Sequence, residues 1–162
     1  MVLTGRAASD VRGCGYGEHL LVWSWRRIVG GRFHCPVMAR EFTEACGEAG
    51  DEVLLALCTF LKALAFASRR RLIFRAPDPF GVTSDERQVL TLLAAAQGED
   101  HALFQAHLRW LAHPERRHDL QVAAYALATA LKVHHLPLAL PQSATPDSSE
   151  RPYAVVRGLG RD

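Results

Sequence analysis

Val53-Leu-Leu-Ala-Leu-Cys-Thr-Phe-Leu-Lys-Ala-Leu-Ala-Phe-Ala67 is the most apolar stretch of the chain, and whether it crosses a bilayer or packs inside a globule sets the fold class. At about fifteen residues, interrupted by Thr59 and Lys62, it falls short of the roughly twenty apolar residues that a bilayer-spanning helix needs. Leu54, Leu57, Cys58, Leu61 and Leu64 share one helical face, while Leu55 and Phe66 fall on another. A helix that is apolar on nearly every side is expected at the centre of a globule, wrapped by other helices. The acidic pair Asp51-Glu52 stands where a helix N-terminus favours negative charge, so the predicted span is Asp51 to Ser68.

Working outward, the neighbours of this segment read as amphipathic helices. Upstream, Leu21, Trp25, Ile28 and Val29 repeat at helical spacing until Gly30-Gly31 stops them. Cys35-Pro36 then opens a second helix, with proline at the first helical position, where its missing N–H would have had no partner. Downstream, Thr83 and Glu86 have the spacing of a capping box and start a fourth helix with Val89, Leu92, Leu93 and Ala96 inward. Gly98 separates it from a fifth, about Glu99 to Ala112, with Phe104, His107, Leu108 and Leu111 in its stripe. A sixth carries Leu120, Ala124, Leu127, Ala128 and Leu131 and ends before Pro137 and Pro141. Arg71-Leu-Ile-Phe-Arg75 reads as a short extended segment, and one strand alone makes no sheet. The predicted fold is all-α, a compact bundle or orthogonal array of about six helices.

Length and composition agree with a single domain. The 162 residues are 49% hydrophobic and 22% charged with a net charge of +2, which supports one sizeable core and gives no global attraction to polyanions. Residues 1–17 are glycine-rich without periodicity and are expected to form a flexible leader, residues 18–141 the helical domain, and residues 142–162 a disordered tail. The start lacks the apolar run of a secretory signal, and Cys14, Cys35, Cys46 and Cys58 are too irregularly spaced for a disulfide framework, so a cytoplasmic location is expected.

Chemical motifs are sparse. No closely spaced cysteine pair marks a metal site, and His101, His107 and His113 recur every six residues, a rotation of about 240° that points them apart. No metal and no cofactor is expected. Gly13-Cys-Gly-Tyr-Gly17 lacks the preceding strand and the spacing of a phosphate loop. Cys35 is the strongest nucleophile candidate, because an N-cap position favours thiolate and His34 beside it can add charge or act as a base. Arg69-Arg70-Arg71 is a dense basic run that can meet phosphate, and it also complements the C-terminal dipole of the third helix. On the first helix Leu20 and Trp23 lie opposite Trp25 and Ile28, close to Arg26 and Arg27, which outlines a second apolar patch of the composition found at interface centres.

Trp23-Ser-Trp-Arg-Arg27, Cys35-Pro36 with Arg40-Glu-Phe42, Gly81-Val-Thr-Ser-Asp-Glu-Arg87 and His107-Leu-Arg-Trp-Leu111 together resemble a group of short all-helical bacterial proteins with no assigned function. The resemblance covers about Glu18 to Pro141 and carries over no catalytic or binding residue. The resemblance leaves the reading of the residues unchanged, and the leading expectation from them is a non-enzymatic helical interaction or adaptor domain that buries Leu20, Trp23, Arg26 and Arg27 against a protein partner or a second copy. A cysteine-dependent enzyme or redox sensor centred on Cys35 is the first alternative. Nucleic-acid binding through Arg69, Arg70 and Arg71 is the second.

Overall fold

A computed structural model describes residues 15–76, 81–139 and 154–155. Among them are six α-helices: α1 (Tyr16–Val29), α2 (Pro36–Cys46), α3 (Gly50–Ala67), α4 (Ser84–Gln97), α5 (His101–Leu111) and α6 (Arg117–Val133). The all-α expectation is met. Helix α2 packs on α3, α3 on α6, α6 on α4 and α4 on α5, while α1 lies against α3.

The local signals behave as their chemistry dictates. Cys35 is the N-cap of α2 and Pro36 its first residue. Thr83 caps α4 with both bonds of the capping box, its hydroxyl accepting from the Glu86 N–H at 3.0 Å and its own N–H donating to the Glu86 carboxylate at 2.8 Å. Asp100 accepts from the N–H of Leu103 at the start of α5. Gly50, the first residue of α3, meets the backbone of α2 so closely that a Cβ there would lie 2.6–2.7 Å from Phe42 and Thr43 atoms, and only glycine fits.

Three expectations are corrected. The first helix begins at Tyr16, so Tyr16 and Gly17 belong to it and not to a leader. The short extended segment is a strand, β1 (Ile73–Phe74), and it does find a mate: β2 (Ala154–Val155) pairs antiparallel with it, Ile73 opposite Val155. Two residues of the predicted tail are thereby placed, and the rest of residues 142–162 beyond them, like residues 1–14, lie outside the described residues.

The third correction concerns α3. Val53, Leu57, Phe60, Leu61, Leu64 and Ala67 are buried, but Leu55, Thr59, Lys62 and Phe66 form an exposed stripe along its other side. Helix α3 is therefore not the hidden central rod. That place belongs to α4, where Val89, Leu90 and the whole run from Leu92 to Ala96 are buried against α5, α6 and β1. Its three consecutive alanines, Ala94 to Ala96, let neighbours approach from every direction, which a leucine-rich helix cannot do without larger gaps between partners.

Candidate functional site

The patch expected on α1 does not form a surface. Leu20 is fully buried, and Arg26 is 4% exposed inside the protein. Its guanidinium grips Glu86 with Nε and Nη2, both at 2.7 Å, and donates to the Gly81 carbonyl at 2.6 Å. Glu86 in turn accepts from the N–H of Arg75 at 3.1 Å and of Thr83. Burying a carboxylate is tolerable only when its lone pairs are filled this way. Arg26 thus joins α1 to the start of α4 and has no role at an outer interface. Trp23 and Arg27 remain half-buried, with the Arg27 guanidinium 4.5 Å above the Trp23 ring, a cation–π contact within one helix.

Arg27 also reaches the second candidate. The Cys35 thiol is part-exposed at the head of α2, and its pKa is held below the ordinary value chiefly by the Met38 backbone N–H, against some desolvation, with further help from the Val37 N–H and the Arg27 guanidinium. Cys46 and Cys58 are pushed the other way by burial. The turn therefore favours thiolate at Cys35 more than the surroundings of Cys46 and Cys58 do. His34 is exposed and makes no hydrogen bond among the described residues, so it does not act as a fixed base for Cys35. Cys14 lies outside the described residues.

The arginine run is divided among three tasks. Arg70 pairs in a two-pronged way with Asp85 and lies 4.7 Å over the Trp110 ring, and Asp85 also accepts from the Ile73 N–H at 2.7 Å. Arg69 donates from Nε to the Ala112 carbonyl at 3.0 Å. Arg71 is exposed. Helix α3 has ended at Ala67 before any of them, so they do not form one face of a helix.

A face that the sequence reading missed lies on the outward side of α3 and α6. The end of α3 is tied to the chain just ahead of α6, His113 N–H donating to the Ala67 carbonyl at 2.9 Å, so the two packed helices run antiparallel. Their outward sides carry Leu55 at 67%, Phe66 at 57%, Val122 at 55% and Val133 at 63% exposure. Phe66 and Val122 border a groove of about 550 Å³, floored by the small residues Ala63, Ala123 and Ala126. Eleven residues of helix rise separate the two members of each pair, about 16 Å, so the apolar positions cluster at the two ends of the face with Thr59 and Ala126 between them. Charge is also polarised along it. Lys62, Arg116, His118 and Asp119 stand near the Phe66 end, a group of net positive charge in which Arg116 lies 3.9 Å from Asp119, and Asp51 and Glu52 lie one turn beyond Leu55 at the other. The signal in the sequence was the spacing Leu55, Thr59, Lys62, Phe66, in which polar residues share a stripe with apolar ones.

Among the described residues no group of three or more His, Cys, Asp or Glu side chains could hold a metal ion, and no helix is long and apolar enough to cross a membrane. Comparison with protein-family models, curated proteins and solved structures gives no match to this chain.

Proposed function

We propose that the protein is a helical interaction domain that works by pairing with a second copy of itself through the outward face of α3 and α6. The observation that carries this reading is the set of four large apolar side chains, Leu55, Phe66, Val122 and Val133, each more than half exposed on one antiparallel helix pair. Large apolar side chains exposed together on one face mark interaction sites. Two such pairs, face to face, make a four-helix arrangement with the apolar side chains inside.

Charge selects the orientation. A twofold axis in the plane of the face and across the helices lays the Asp51-Glu52 end of one protomer over the Lys62-Arg116-His118 end of the other. An axis along the helices would stack like charges instead, so the crosswise axis is favoured. In this orientation the small floor of the groove, at the Phe66 end, faces and admits Leu55 of the opposite copy.

Light scattering tests the pairing. The wild type is expected at twice its 17.9 kDa at concentrations where Phe66→Asp runs at that single mass. Glu52→Lys should weaken pairing, and adding Lys62→Glu to it should restore the doubled mass. A wild type that stays at single mass at high concentration, or a Phe66→Asp variant that still pairs, overturns the reading.

A further inference from the structure

The geometry points to a binding site for a phosphoryl-type oxyanion between Arg69 and Arg117, at the end of the molecule where α3 stops and α6 begins. Both guanidinium groups donate their Nε–H to one acceptor, the Ala112 carbonyl, at 3.0 Å from Arg69 and 3.3 Å from Arg117. The two Nε atoms therefore lie at most about 6 Å apart. Ala112 is itself fixed: it is buried, it bridges to Ser68, and the neighbouring Arg69 N–H donates to the Leu111 carbonyl at 3.0 Å. Two like charges are thus held at a rigid point.

Their surroundings do not neutralise them. Neither Arg69 nor Arg117 is in an ion pair among the described residues, whereas Arg70, next in the chain, is held by Asp85 and Arg116 lies 3.9 Å from Asp119. Arg117 is the first residue of α6, entered directly from a 3-10 turn over Pro114–Arg116, and the one acidic side chain of that first turn, Asp119, faces Arg116 at 3.9 Å and makes no ion pair with Arg117. No side chain caps that helix. Two guanidinium forks gathered on one carbonyl form a site that an oxyanion stabilises by accepting from the Nη groups. With each Nε committed to Ala112, each fork keeps its amino edge for the ligand, which suits the several oxygens of a phosphate better than a single carboxylate. Free phosphate and the phosphate ester of a small metabolite offer the same chemistry. The site is separate from the pairing face, since neither Arg69 nor Arg117 lines the groove.

The test is isothermal titration of the full-length protein with inorganic phosphate, pyrophosphate and glycerol 3-phosphate, at ionic strength fixed with sodium chloride. The expected result is saturable binding of at least one of them to the wild type. Arg117→Gln and Arg69→Gln should each weaken that binding by roughly tenfold, the loss of about one charge-assisted hydrogen-bonded contact. Arg117→Lys, which keeps the charge and loses the fork, should fall between. Arg71→Gln, a nearby exposed arginine that does not share the carbonyl, should stay within about twofold of wild type. Inorganic phosphate binding as well as glycerol 3-phosphate assigns the site to the free ion, and an advantage for the ester assigns it to a metabolite. Absence of saturable binding to all three overturns the proposal, and so does an Arg71→Gln loss equal to that of Arg117→Gln, which would mean diffuse charge. Unfolding midpoints of the variants separate a lost site from a lost fold.

Discussion

The start of α4 and the outward side of α3 and α6 are arranged in opposite ways. At the first, Arg26 and Glu86 are shut inside the protein and paired with each other, and Asp85 is nearly as enclosed beneath Arg70. At the second, leucine, phenylalanine and valine stand in solvent. Residue type alone would assign these regions the other way round. Burial here follows the supply of partners: the charged site has strand β1, Gly81 and α1 to satisfy it, while no described helix covers the apolar stripe.

The sharpest way to break this contrast is to remove one side of the enclosed pair. Arg26→Met leaves the buried Glu86 carboxylate without its guanidinium partner, and urea denaturation is expected to show a loss of about 3–5 kcal/mol. A loss below about 1 kcal/mol would mean that the pair is not the fixed joint between α1 and α4. Thr83→Ala should cost less, about 1–2 kcal/mol, because it deletes the α4 cap and also the hydroxyl that donates to the Ile73 carbonyl at 2.7 Å.

A pH titration probes the same polar region. His19 has its pKa lowered, first by burial and then by Arg26, and burial lowers that of His107. The unfolded chain therefore binds protons at these sites more readily than the folded one. Stability is expected to fall as pH drops below the ordinary histidine value of 6.5, and His19→Gln should flatten that fall in denaturation curves measured between neutral and mildly acidic pH.

On the apolar face the expected stability changes are smaller still. Leu55→Ser and Val133→Ser should each leave the unfolding free energy of the single protomer within about 0.5 kcal/mol of wild type, since neither loses internal packing. A loss near that of a core leucine would show that the stripe is covered within one chain. At the bottom of the scale, Cys35 should alkylate faster than Cys46 and Cys58 at neutral pH with no change in the unfolding midpoint, checked by mass spectrometry of the modified peptides.

Much of the fold was legible because it is written locally. The Thr83-Glu86 capping box, Cys35-Pro36 and the breaks at Gly30 and Gly98 act through bonds a few residues long, and spacing reveals them. What needed the tertiary structure was the side of each helix that finds a partner. Periodicity placed Leu55 and Phe66 on α3 but could not say that α2, α1 and α6 would cover only the opposite side. It likewise set Leu20 and Arg26 on a second face of α1 without showing that α4 would take Arg26 inward through Glu86, a contact across 60 residues. The pairing of Arg69 with Arg117 was illegible for the same reason, since one carbonyl brings them together from two separate segments.

Beyond α6 the backbone returns to the beginning of the fold. Gln97 donates to the Leu136 carbonyl at 3.0 Å and accepts from the Leu138 N–H at 2.7 Å, and Glu18, in the first turn of α1, accepts from the N–H of Ala139 across 121 residues. Gly17 fits beneath the same strap, where a Cβ would meet the Pro137 carbonyl oxygen at 3.0 Å. Closure of the described fold therefore joins segments far apart in the chain: until Leu136 to Ala139 are seated, Glu18 lacks its backbone partner and Gln97 both of its own, a long loop to close for contacts this specific.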